Sequence, residues 1–290
     1  MKKIKMKEKQ IDRGSIDVGD ENIRLYDIEN SLLPSVSTVT DFYSDSLKEH
    51  ILTKWRNKYD GVGIVHHEDI KHLKGLRGTI AHAKTLSEFV EGEIWGEEEQ
   101  DAKYNLENFD SFRESYIDTD EYPWNPDTVP FFEDGDSAVD WCERTVPQIK
   151  QEFLDETLTD IEDVIAVEQY LYSLKHNFAG QVDLIYRKSN GDIVLCDLKT
   201  SKSIYHTHKL QVAGYAEAYE EMYDTTVDML KIARSSPESR GSTHEFEVEL
   251  QWEETRENYF DEFTTLLYYV EYLLIEEGWD TVKEMFEARK

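Results

Sequence analysis

The sequence predicts an α/β protein: a central mixed β-sheet flanked by helices, preceded by a mostly helical N-terminal cap. Three observations carry this. From about residue 163 onward, apolar and β-branched runs recur between polar breaks, as "DVIAVEQYLY", "AGQVDLIYR", "DIVLCDL", "VDMLKIAR" and "THEFEVELQ". A helical run at about 207–222 separates the third of these from the fourth, and a long amphipathic run follows 252. Residues 41–160 instead read mostly as helix.

Taken in order, residues 1–19 form a basic arm, expected to be disordered, in which residues 1–13 hold six bases and two acids. Residues 20–160 are the cap. It opens with a strand-like "NIRLYDI", a turn and "LPSVSTV", and is interrupted by the loop "DTDEYPWNPDTVPFFEDGD", whose proline, glycine and acid content marks a surface excursion. Residues 161–290 carry the sheet and the C-terminal helices.

Composition narrows the class. The chain has 290 residues, ample for a sizeable core. No stretch reaches the apolar length of a membrane span, and "MKKIKMKEKQIDRG" lacks the apolar centre of a secretion signal, so a cytoplasmic protein with no membrane partner is expected. The two cysteines, Cys142 and Cys196, cannot build a disulfide framework, a four-cysteine zinc site or an iron–sulfur cluster within one chain. The 62 acidic residues outnumber the 32 basic ones, for a formal net charge of -30. Residues 91–140 alone hold seventeen acids and two bases. Such an acidic surface around 39% hydrophobic residues points to solvation in high salt, hence to a halophilic host or its virus.

The chemistry concentrates in "GQVDLIYRKSNGDIVLCDLKTSK", residues 180–202. Alternation along a strand points Asp197 and Lys199 to one face and Cys196 and Leu198 to the other. A two-residue Asn190-Gly191 turn would set Asp183 opposite Leu198. A three-residue Ser189-Asn190-Gly191 loop, closed by Gly191 in the left-handed conformation, sets Asp183 opposite Asp197 and is the expected one. Two facing carboxylates do not both ionise unless a cation lies between them, and oxygen donors favour magnesium or manganese. Lys199 would orient or activate the attacking water or balance charge gathering on a phosphate. Glu168, in "AVEQYLY", is a further metal-proximal acid or a half-exposed structural residue. On the following helix Gln211 and Tyr215 stand four apart on one face.

These residues resemble the PD-(D/E)xK nuclease superfamily and, within it, the RecB-like exonuclease branch. Asp183 and Asp197-Leu198-Lys199 match its metal motif, although Gly180-Gln181-Val182-Asp183 lacks the nominal proline, and "QVAGY" matches Q-x-x-x-Y. Upstream, "LPSVSTV", "LTKWRNKYD" and "RGTIAHAKTL" are similar to motifs of phage and mitochondrial genome-maintenance exonucleases. The resemblance implies a restriction-endonuclease-like core and one or two magnesium or manganese ions. Asp183, Asp197, the backbone carbonyl of Leu198 and the helix-borne His82 would hold them. It implies that Gln211 and Tyr215 contact the substrate, DNA with a free end and most commonly single-stranded, in replication, recombination or viral genome processing. Arg77, Lys202 and Lys209 are the other bases expected to meet it. The pair His206 and His208 is a further phosphate contact, whereas His66 and His67 read as surface. An endonuclease on the same fold and a non-catalytic DNA- or partner-binding protein are the alternatives.

Overall fold

The computed structural model describes residues 3–5, 11–43, 53–54, 56, 67–92, 94, 96–124, 134–236, 243–249 and 253–289. Most of "LTKWRNKYD", with His66 and the tip of the acidic loop, lies outside them.

Residues 12–34, divided in the sequence reading between arm and cap, are three antiparallel strands: β1 (Asp12–Val18), β2 (Glu21–Ile28) and β3 (Ser31–Pro34). β1 carries charged residues around two buried apolar ones, Ile16 and Val18, so its alternation is short and easily read as a basic arm. Val18 pairs with Glu21 across a two-residue turn in which Gly19 has φ +60°. Ile28 pairs with Ser31 across Glu29 and Asn30, both at positive φ, the backbone that matches a tight hairpin to strand twist. The short helix α1 (Val36–Asp41) then starts at Ser35, whose hydroxyl accepts from the Thr38 amide at 3.0 Å.

The cap helices are α2 (His67–Leu86), α3 (Glu97–Glu107), α4 (Phe109–Glu114) and α5 (Gly135–Glu152), the last running into a π-helical turn at Phe153–Thr157. They are tied by a buried pair: Arg113 Nε donates to both carboxylate oxygens of Asp69 at 2.9 and 3.0 Å, and Tyr116 donates its hydroxyl to the same group at 2.8 Å.

The second sheet has five strands in chain order: β4 (Asp163–Ser173), β5 (Phe178–Arg187), β6 (Ile193–Lys199), β7 (Met229–Ser235) and β8 (Thr243–Glu249). All neighbours are antiparallel except β6 and β7, which α6 (His206–Tyr223) connects as a crossover. Helices α7 (Glu253–Glu277) and α8 (Trp279–Glu287) complete the chain. The mixed sheet is thus covered on both faces. Val182, Ile185, Leu195 and Ile232 pack with α1, α6, α7 and β1–β2. Leu184, Tyr186, Cys196 and Leu198 pack with the cap. Among the described residues, no helix is long and apolar enough to cross a membrane.

Candidate active site

The hairpin between β5 and β6 fixes the acids. Arg187 pairs with Ile193, the Gly191 amide donates to the Lys188 carbonyl at 2.9 Å, and Gly191 has φ +99°. This is the three-residue loop Ser189–Gly191, and its register puts Asp183 level with Asp197. The ladder itself stops one pair short, at Leu184 with Cys196. There the Asp183 carboxylate replaces a backbone acceptor, taking the Leu198 amide on Oδ2 at 2.6 Å. Leu198 itself stays paired with Ala233 of β7.

Asp197, 2% exposed, meets Lys199 Nζ at 2.7 Å. Lys199 donates to Gln211 Oε1 at 2.9 Å, and Gln211 uses its amide to donate to the Tyr215 hydroxyl at 2.9 Å. One turn of α6 therefore holds the lysine through an amide and a phenol. The close approach of this turn explains Gly180: a Cβ there would lie 2.5 Å from Tyr215 Cε1 and 3.1 Å from Val36 Cγ2. Val36 arrives with "LPSVSTV", since Ser35 bridges to Ala179 and donates its amide to the Arg24 carbonyl at 2.8 Å. That upstream motif thus builds the wall of the site.

His82 comes from the cap. Its Nδ1 lies 4.0 Å from Asp183 Oδ2. Gly78, one turn earlier, permits this helix to approach Thr200, whose hydroxyl would sit 2.9 Å from an added Cβ. Burial, then the nearby Lys199, holds the His82 imidazole down to about 4, so it is neutral at neutral pH and keeps a lone pair to offer.

Glu168 is the third acid abreast. It falls between the pairs Val167 with Leu184 and Gln169 with Val182, which puts it level with Asp183. Its φ is +49°, a left-handed backbone that few non-glycine residues adopt inside a strand. Burial, and after it Asp183, Glu99 and Glu98, raises its carboxyl well above the usual range. Asp183 is raised by burial against the pull of Lys199 and the Leu198 amide. Asp197 is raised to about 6 by burial, with Lys199 opposing and Asp183 adding. Burial pulls the Lys199 ammonium down, but Asp197 and Asp183 outweigh it and leave the net shift upward. Three carboxylates that resist ionising beside a neutral imidazole are a hard-donor set, and a divalent cation is what would let them ionise together. Among the described residues no three such side chains already converge on one point. Asp183 is turned to an amide and Asp197 to Lys199.

The remaining predicted contacts are scattered. Arg77 is 0% exposed, with its guanidinium 4.4 Å over the Trp141 ring. Lys202 is exposed, and Lys209 lies with Nζ 5.8 Å over Tyr259. His206 bonds Glu262 at 2.7 Å. His208 was read only as a phosphate contact. It accepts from the Tyr205 amide on Nδ1 at 3.2 Å and so caps α6, while burial and Lys199 hold it down to about 3. Its place as the third residue of α6 would have been visible only with the start of that helix in hand.

No protein-family model matches the chain, and no curated protein does. Among solved structures it is similar to the protein SSO0001, at 15% identity over 50% of this chain and 62% of that one, with a TM-score of 0.24. It is also similar to a protein of Eubacterium rectale provisionally named an exonuclease, at 11% identity over 65% of each chain, with a TM-score of 0.30. The chain spans less than two thirds of either protein. Both likenesses are too distant to bear on activity, which rests on the site alone.

Proposed function

We propose that the chain is a metal-dependent deoxyribonuclease, an exonuclease that hydrolyses phosphodiester bonds from the ends of single-stranded DNA in replication, recombination or viral genome processing. The observation that carries this reading is the row Glu168, Asp183 and Asp197 at a break in the sheet ladder, with Lys199 pinned 2.7 Å from Asp197. A purely structural protein gains nothing from three adjacent acids whose burial opposes their ionisation.

Asp183, Asp197 and the carbonyl of Leu198 would hold one or two magnesium or manganese ions, with His82 and Glu168 beside them. When bound, the ion supplies Lewis acidity toward a phosphoryl oxygen. Lys199 orients the attacking water and offsets charge developing on phosphorus. Gln211 holds Lys199 to that task, and Tyr215 holds Gln211. The site is approached by α2 on one side and α6 on the other, an enclosure that suits a flexible strand better than a duplex. The acidic surface supports work in high salt, where repulsion among like charges is screened.

The test is incubation of the protein with end-labelled linear and circular single-stranded DNA, with and without manganese, alongside Asp197→Ala. Manganese-dependent loss of the linear strand alone, abolished in the variant, is the expected result. Equal rates on circles would establish an endonuclease. No hydrolysis of either, with manganese present, would leave a DNA- or partner-binding protein.

A further inference from the structure

A groove of about 510 Å³ lies between β2, α2 and α3, away from Lys199 and Gln211. Its size falls within the roughly 300–1,000 Å³ of small-molecule sites. Its α2 wall includes Leu76 and Thr79, and His82 is three residues beyond Thr79 on the same helix face, so the groove runs toward the acids. Arg24 forms the β2 wall. It is half-buried, and its backbone is fixed on both sides, the amide donating to Thr38 Oγ1 at 3.0 Å and the carbonyl accepting from Ser35. The other nearby cations are engaged: Lys71 meets Glu68 at 2.9 Å and Arg13 meets Glu98 at 3.0 Å. Among the described residues no carboxylate pairs with Arg24. The opposite wall, from α3, carries Ala102, the exposed Asp101 and Glu98, whose charge Arg13 meets.

We infer that this groove receives the single strand on its way to the acids, with Arg24 meeting a backbone phosphate and the adjoining base lying against Leu76 and Ala102. The inference rests on the nuclease reading above and adds a strand-positioning contact to it. A half-buried guanidinium on a rigid strand is suited to a phosphate, because its forked donors are already oriented. Asp101 opposes it across the groove, and its charge weakens binding.

The experiment measures fluorescence anisotropy of a fluorescein-labelled oligothymidylate in chelator, where no hydrolysis can proceed, as a function of salt. Arg24→Gln is expected to bind roughly tenfold more weakly, with the slope of log K against log salt reduced by about 0.7, the share of one phosphate on a single strand. Arg24→Lys should recover part of the loss. Asp101→Asn, on the exposed face of α3, should bind several-fold more tightly, an opposite change that misfolding does not produce. Unchanged affinity in both Arg24→Gln and Asp101→Asn overturns the groove, whatever the cleavage assay gives. Arg24-dependent binding by a protein that cleaves no DNA keeps the groove and removes the nuclease reading. A wild-type protein that binds no oligonucleotide overturns the groove.

Discussion

Replacing Asp197 by asparagine should make the metal-free protein more stable, not less, and the gain should depend on pH. The carboxyl is raised from its ordinary 3.8 to about 6, chiefly by burial. A raised carboxyl contributes stability that is fully present below the unfolded value and is lost as pH rises through the folded one. At about 1.4 kcal/mol for each pH unit, the rise from 3.8 to about 6 makes the ionised group cost about 3 kcal/mol above pH 7. Asparagine keeps the shape and an oxygen for Lys199 but carries no charge, so it removes that cost. The expected gap between variant and wild type is about 1–2 kcal/mol at pH 5 and about 3 kcal/mol at pH 7.5. Urea unfolding in chelator, followed by tryptophan fluorescence between those limits, measures it and stays clear of the isoelectric point near 4.6. Manganese should then narrow that gap. An ion held by Asp183 and Asp197 stabilises wild type by about 2.7 kcal/mol at a hundred times its Kd, and the variant by less. A variant less stable than wild type at pH 7.5 in chelator would refute the reasoning, as would a gap that does not change with pH.

Two further outcomes follow from packing. Gly180→Ala places a methyl 2.5 Å from the Tyr215 ring and should cost about 1–3 kcal/mol, largely restored when Tyr215→Ala opens the space; an additive double variant would show that the two do not collide. Asp69→Ala leaves Arg113, 3% exposed, without its carboxylate and should lower stability by about 3–5 kcal/mol, read as a fall in urea midpoint; a loss under 1 kcal/mol would mean that the pair does not tie the cap.

What could be read in advance was local. The five strands of the second sheet and the run that became α6 announced themselves by period, and the loop Ser189–Gly191 by an asparagine and glycine between two alternating runs. From that loop the level of Asp183 with Asp197 followed by counting. β1 was missed because its apolar face has only two fully apolar members, and the rest of it looks like the charged arm before it. The burial of Arg77 was not legible: its guanidinium lies over Trp141, sixty-odd positions later, and no local pattern connects the two. Asp69 and Arg113 are hidden for the same reason.

The site shows why local reading reaches the acids sooner than their surroundings. Asp183, Asp197 and Lys199 belong to one hairpin, so their relation is set within twenty residues by strand alternation and one turn. His82, Gln211 and Tyr215 come from layers on opposite faces of the sheet, and each approach depends on a glycine: Gly78 against Thr200, Gly180 against Tyr215. Those glycines look like flexible joints in the sequence. In the fold they are places where a side chain from elsewhere fills the space that a Cβ would take. A site of this kind has chemistry legible from one segment and geometry enforced from three, so substitutions at the glycines should disturb the positions of the acids' neighbours without touching the acids themselves.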